Sequence, residues 1–171
     1  MAADLPAVVR DGLQRYGASL AASGGWRAVA RENLHVTLVF VGERPAEDVG
    51  AVSSILERAT PRLSPLTLGG LITLPPRRPR VAAVEINDSA GGLSALQGRL
   101  GEALAAEGLW QPERRRFRPH VTVARRTRGE LGEFPEPTWP RHEFQADRVT
   151  LYRSVPAPGG SRYEPLASVR V

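Results

Sequence analysis

The apolar positions along this chain change repeatedly between helix and strand spacing. Apolar residues three to four places apart predict three amphipathic helices, over 5–20, over 47–60 and from a cap at Asp88 or Ser89 to 107. Alternating or continuous β-branched runs bounded by Gly and Pro predict strands. These strands cover residues 26–30, 34–41, 66–74, 80–86, 119–124, 143–145, 148–154 and 162–171. The stretch 129–140, rich in Pro, Gly and Glu, is expected to be a long surface loop.

Two of the predicted strands carry the same short motif. His35-Val36-Thr37-Leu38 and His120-Val121-Thr122-Val123 are both His-x-Thr-x steps within apolar runs. Because successive side chains of a strand point to opposite faces, His and Thr share one face while the other face is apolar. A single strand histidine is more often structural than catalytic, so the functional interpretation depends on the repetition. The third histidine, His142, has no following Thr and is expected at the surface.

The order of elements around the two motifs predicts a single α+β domain over residues 1–171. A motif strand, a helix and further strands are followed by another helix and the second motif strand. This order indicates two similar halves, which we expect to pack as lobes with the motifs meeting across a cleft. A chain of 171 residues can bury the necessary core without disulfides or metals.

The composition narrows the chemistry further. The chain has no Cys, which excludes disulfide scaffolds, redox dithiols and thiolate zinc sites. All 23 basic residues are Arg, and the net charge of +5 favours polyanionic partners. Arginines flank the second motif at 114–118 and 125–128, so any asymmetry between the motifs is expected around His120. No apolar run is long enough for a membrane span and no signal layout opens the chain, so we expect a cytoplasmic protein without membrane contact.

Paired His-Thr steps are suited to phosphodiester cleavage. One histidine can act as base and the other as acid, because the ordinary imidazole pKa of about 6.5 allows both protonation states near neutral pH. The hydroxyls of Thr37 and Thr122 can donate hydrogen bonds to phosphoryl oxygens. Arg125 lies five positions after His120, so regular alternation would put it on the opposite face. It reaches the phosphate only if the strand ends or bulges near Ala124.

A site of this kind, with no metal ligands of its own, suits a substrate that is already strained, such as a 2',3'-cyclic phosphate. The chain has no Gly-x-Ser-x-Gly elbow, Walker loop or dinucleotide fingerprint. A serine hydrolase, a nucleoside triphosphatase and a dehydrogenase are therefore without support.

The residues around the motifs resemble a known family. The similarity lies in Glu32–Leu38 with Phe40 and Gly42, in Phe117–Arg125, and in Leu151–Ser154 with Tyr163–Leu166. These segments are similar to the two-histidine phosphoesterase superfamily, in the branch of RNA 2',3'-cyclic phosphodiesterases, also described as 2'-5' RNA ligases. The resemblance implies a bilobal fold with two pseudo-symmetric lobes, antiparallel sheets lining a central cleft, and helices outside.

The resemblance also implies an activity and a set of roles. Family members hydrolyse RNA 2',3'-cyclic phosphate ends to 2'-phosphates without a metal or other cofactor. His35 would donate a proton to the leaving 3' oxygen, and His120 would accept a proton from the attacking water. Thr37, Thr122 and Arg125 would then bind the phosphate.

Several further expectations concern partners. The partner is expected to be RNA with 2',3'-cyclic phosphate ends or cyclic nucleotides, and contacts with base or RNA are expected at Phe117, Arg118 and Tyr152. Two alternatives remain open. The chain could act on another small cyclic or 2'-5' linked nucleotide, or it could be a non-catalytic module that binds RNA ends or nucleotides.

The likeness breaks down at the N-terminus. Relatives begin with an apolar strand before a Leu-Pro pair, whereas only Met1–Asp4 precedes Leu5-Pro6 here. We therefore expect the first strand to be missing, through a misassigned start or a lobe that folds without it. A missing strand would expose a sheet edge. A monomer is expected, with a dimer through that edge as the alternative.

Overall fold

A computed structural model of the chain describes residues 1–59, 62–113, 115–137, 139, 143–158 and 160–171. Within these ranges the helices are α1 (Ala7–Ser23), α2 (Asp48–Arg58) and α3 (Gly92–Ala106). The strands are β1 (Ala2–Asp4), β2 (Trp26–Ala28), β3 (His35–Thr37), β4 (Thr67–Leu74), β5 (Val81–Asn87), β6 (His120–Arg126), β7 (Arg148–Ala157) and β8 (Gly160–Arg170). The predicted α+β fold is confirmed.

All eight strands belong to one antiparallel sheet. Their order is β4-β5-β6-β3-β1-β7-β8, and β2 also pairs with β6. The two motif strands are neighbours, with Val36 opposite Val121. The β4–β5 hairpin lies on one side of this pair, and β1, β7 and β8 lie on the other. The two predicted halves are thus joined along β3 and β6 into a continuous sheet.

The first strand is present, which corrects the expectation that it is missing. Ala2, Ala3 and Asp4 pair with β3 on one side and with β7 on the other. Three residues suffice because both neighbouring strands supply hydrogen bonds, and because Ala2 and Ala3 are buried. The expected open edge is therefore internal to the sheet. A dimer through that edge loses its structural basis.

Two predicted strands differ more than the others from the observed ones. β3 ends at Thr37 instead of Val41, because the next two amides, of Leu38 and Val39, both donate to the Met1 carbonyl. The predicted strand 143–145 is reduced to a bridge between Phe144 and Leu66. The segment 129–137 has no regular secondary structure, as predicted, while His142 lies outside the described residues.

The helices cover the apolar face of the sheet. α1 contacts β2 and β6, and α2 contacts β7, β8 and α3. The apolar stripe of α3 is fully buried, as its spacing predicts. It consists of Leu93, Leu96, Leu100 and Leu104. None of the helices in the described ranges has the length and apolar character needed to cross a membrane.

α1 approaches the second motif strand most closely at Gly17. A Cβ atom at this position would lie 2.6 Å from the Val123 carbonyl oxygen, which is closer than side-chain atoms tolerate. The same oxygen accepts a hydrogen bond from the Val29 amide at 2.9 Å. Gly17 therefore allows the helix to pack against the backbone of β6, two residues before Arg125.

Gly17→Ala is expected to destabilise the protein by about 1–3 kcal/mol, the usual cost of overpacking. In an open helix position the same exchange stabilises by up to about 1 kcal/mol, so the close approach reverses the sign. Gly12→Ala is the matched control, since no atom lies within 4 Å of its Cβ position on the same helix. Thermal unfolding followed by circular dichroism measures both variants. Equal changes in melting temperature would contradict the close approach.

Candidate active site

The four motif side chains lie on the face of the sheet opposite the core. Val36 and Val121 are fully buried, whereas the His and Thr residues on either side of them line a cleft. Strand alternation produces this separation in both motifs. The antiparallel register, continued by one residue on each side of the valine pair, sets His35 beside Thr122 and His120 beside Thr37. Each histidine is therefore next to the threonine of the other motif.

A β-bulge in β6 brings Arg125 to the same cleft. Ala83 pairs with Thr122, but the next β5 residue, Ala82, pairs with Ala124, so Val123 is an extra residue. Val123 and Ala124 are consequently both buried, and the alternation resumes with Arg125 on the side of the histidines. The sequence predicted that Arg125 could reach the histidine face only if the strand ended or bulged near Ala124, and this bulge is present.

The cleft has a volume of about 370 Å³. β2, β3 and β6 contribute one side, and the tip of the β7–β8 hairpin contributes the other. The amide of Asn33 donates to the Ser161 carbonyl at 2.8 Å and joins the two sides. The charged residues of the lining, apart from the histidines, are Arg27, Arg125, Arg162 and Glu32. Positive charge therefore exceeds negative charge around the cleft.

His35 lies in an aromatic environment. Tyr163 packs edge-on against its ring at 4.9 Å between centroids, and Tyr152 stacks on it at 5.9 Å. Burial lowers the pKa of His35 to about 4, and the positive charges of the N-terminus and Arg125 add to this effect. A hydrogen bond to the backbone of Asn33 acts in the opposite direction. His35 is thus neutral near pH 7 when no ligand is present.

His120 is fixed by its own backbone. Its Nδ1 lies 2.7 Å from the carbonyl oxygen of Arg118. Because a carbonyl oxygen only accepts hydrogen bonds, Nδ1 must carry the proton in this contact. A neutral His120 then has its lone pair on Nε2, which is the arrangement that a general base requires. Each histidine thus has a hydrogen bond to the backbone of the residue two positions before it, Asn33 for His35 and Arg118 for His120.

The structure does not bring the three expected RNA-contact residues to the cleft. Phe117 packs against the hydrophobic core. Arg118 forms an ion pair with Glu85 at 2.6 Å, and the Tyr152 hydroxyl donates to Asp4 at 2.8 Å. That bond and the burial of its ring, which has the larger effect, raise the pKa of Tyr152 to about 12. Tyr152 instead stacks on the ring of His35.

Several polar residues of the cleft were not predicted from the sequence, among them Arg27 and Asn33. Arg27 is a lone arginine in a short strand and carries no motif signal, whereas Asn33 lies in the segment that resembles the family but had no role assigned to it. Arg114, in the predicted arginine cluster, lies outside the described residues. Among the residues that are described, no group of three or more His, Asp or Glu side chains is arranged to hold a metal ion.

The chain matches a family model over most of its length. The model of the 2'-5' RNA ligase superfamily matches residues 9–156. The RNA 2',3'-cyclic phosphodiesterase of Escherichia coli is 33% identical over 165 residues, covering 96% of this chain and 91% of that protein. A protein of the same name from Thermus thermophilus is 30% identical over 169 residues, covering 93% and 82%.

Solved structures share the fold. TT0787 of Thermus thermophilus superimposes with a TM-score of 0.83 at 26% identity, covering 99% of this chain and 94% of that one. E. coli LigT in complex with 3'-AMP has a TM-score of 0.80 at 32% identity, covering 99% and 95%. LigT in complex with phosphate has a TM-score of 0.74 at 31% identity, covering 99% and 94%.

The lowered pKa of His35 predicts a pH dependence of stability. Between its ordinary value of 6.5 and about 4, the unfolded chain binds a proton on His35 that the folded protein does not bind. The free energy of unfolding therefore falls as the pH falls through this window. His35→Asn removes the titrating imidazole. The melting temperature of this variant should therefore fall less steeply than that of the wild type between pH 6.5 and 4. Because the carboxylates are common to both proteins, the difference between the curves isolates His35. Parallel curves would contradict the lowered pKa.

Proposed function

Because the chain belongs to the 2'-5' RNA ligase superfamily, we propose that it hydrolyses RNA 2',3'-cyclic phosphate ends to 2'-phosphates with His35 and His120 as its catalytic acid and base. The observation that carries the proposal is the meeting of two His-Thr steps on one face of the joined sheet. Arg125 lies beside them in the same cleft. Two relatives that bear the name of this activity match 96% and 93% of the chain.

The proposed reaction needs two proton transfers. His120 accepts a proton through Nε2 from a water molecule, whose oxygen attacks the phosphorus of the cyclic phosphate. The bond between phosphorus and the 3' oxygen breaks, and His35 donates a proton to that oxygen. The products are a 2'-phosphate and a free 3'-hydroxyl, which together contain the atoms of the substrate and one water. General acid and base catalysis of this kind contributes roughly 10²–10⁴-fold for each group.

The remaining residues stabilise charge. The hydroxyls of Thr37 and Thr122 donate to the non-bridging oxygens, and Arg125 offers two parallel N–H groups to the same phosphoryl group. Their positions on two rigid strands reduce the reorganisation that the transition state requires. The LigT complexes with phosphate and with 3'-AMP support a nucleotide phosphate as the ligand of such a cleft.

Because the pKa of His35 is low in the free protein, substrate binding must raise this pKa before His35 can act as the acid. A neutral His35 cannot donate a proton, so the donor role requires its pKa to rise on binding. The anionic phosphate provides this change, because a negative charge next to an imidazole favours the protonated form. It also offsets the positive charge of Arg125, which lowers the pKa in the free protein.

The cytoplasmic location and the monomeric state of the protein stay predictions. A turnover assay distinguishes this activity from the two alternatives, another small cyclic or 2'-5' linked substrate and a non-catalytic binding module. Cleavage of a 2'-5' linkage without turnover of a cyclic phosphate would favour the second substrate class, and binding without turnover would favour a non-catalytic module.

His35→Ala and His120→Ala should each lower kcat on 2',3'-cyclic nucleoside monophosphates by roughly 10²–10⁴-fold, because each variant loses one proton transfer. The product of the wild-type enzyme should be the 2'-phosphate, identified by chromatography against both isomers. Turnover should persist in EDTA, since the side chains of the cleft carry out both proton transfers and supply the charge stabilisation. Arg99→Gln, an exposed substitution on α3 away from the cleft, is the control. Unchanged turnover in both His variants would overturn the proposal.

The donor role of His35 predicts a ligand-dependent pKa. In NMR titrations of the ring, the pKa of His35 should be about 4 in the free protein and should rise when inorganic phosphate or a 2'-nucleotide is added. The control is a titration in chloride at the same ionic strength. A pKa that stays low with ligand bound would assign the donor role to His120 instead.

A further inference from the structure

Two arginines of the cleft lie opposite each other. Arg27 of β2 lies opposite Arg125 of β6 in the antiparallel register. Side chains in this position begin about 5 Å apart, and like charges there destabilise a sheet. Among the described residues, the ion pairs involve other arginines than these two. Two adjacent cations that form no ion pair with a carboxylate of the described residues fit an anionic ligand.

The position of Arg27 relates it to the reacting phosphate. β3 and β2 pair with the same edge of β6, β3 at Val121 and β2 further along the strand at Ala124–Arg126. Arg27 therefore lies beyond the pair of His35 and Thr122 in the direction of β6. Its guanidinium also points to the hairpin that forms the other side of the cleft, because an Nη atom lies 3.9 Å from the Cβ position at Gly160. Arg27 therefore lies level with Arg125, at the end of the cleft beyond His35 and Thr122.

We propose that Arg27 binds a phosphate on the 5' oxygen of the terminal nucleotide, so that the cleft recognises a chain end through two successive phosphates. The inference rests on the proposed function, which assigns the cyclic phosphate to Arg125 and the His-Thr pairs. The next negative group along an RNA strand is the phosphate on the 5' oxygen. An arginine is suited to it because its planar fork binds phosphate with two parallel hydrogen bonds.

Three substrates test the proposal. They are a nucleoside 2',3'-cyclic phosphate, the same nucleotide with a 5'-phosphate, and a dinucleotide ending in a 2',3'-cyclic phosphate. The measured quantity is the ratio of kcat/KM for each phosphate-bearing substrate to that for the first substrate. Arg27→Gln should lower this ratio about tenfold, the effect of one charge-assisted hydrogen bond at an exposed site. Arg27→Lys keeps the charge but not the fork and should retain an intermediate ratio.

The control is Arg99→Gln, which removes the same charge from the exposed surface of α3 and should leave the ratio at its wild-type value. A fall for both phosphate-bearing substrates indicates recognition of any 5' phosphate, and a fall for the dinucleotide alone indicates a chain phosphodiester. A ratio that Arg27→Gln does not change overturns the role of Arg27 while leaving the proposed function intact. If wild-type protein hydrolyses none of the three substrates, the proposed function itself fails.

Discussion

Val36 and Val121 face each other across the two central strands, and the site depends on this contact. Both side chains are excluded from solvent on the core side, so neither strand can slip by one residue without exposing its valine and burying its His and Thr. The hydrophobic effect thus fixes the register. Because the register is fixed, the polar face brings each histidine next to the threonine of the other motif. Packing on one face determines the chemistry on the other.

The bulge at Val123 is the second constraint. Without it, strand alternation would direct Arg125 into the core, where a guanidinium has no partner. The extra residue adds a second buried side chain and returns Arg125 to the cleft. The Val123 carbonyl is held by the Val29 amide, and α1 can approach it because position 17 is glycine. Three segments that are distant in sequence therefore support the orientation of Arg125 in the cleft.

Local patterns predicted the features that depend on local geometry. The helices, most strands, the shared face of His and Thr, and the condition for Arg125 all follow from side-chain spacing along one element. The short strand Ala2–Asp4 did not, because three residues become a strand only when two other strands supply partners on both sides. The same limit explains Arg118 and Tyr152. Their contacts with Glu85 and Asp4 join positions 33 and 148 residues apart, and no spacing rule brings such residues together.

The two copies of the motif differ in a way that their sequences conceal. The arginines around the second motif predict an asymmetry centred on His120. His35 has an asymmetric environment of its own, because it contacts two tyrosines and lies close to positive charge, and its pKa is lowered. Tyr152 holds its position through Asp4, whose carboxylate also accepts from Thr150 at 2.7 Å. This environment keeps the pKa of His35 low in the free protein. Under the proposed mechanism, the protonation that makes His35 an acid is then coupled to the presence of the phosphate it acts on, so the acid forms only where a substrate is bound.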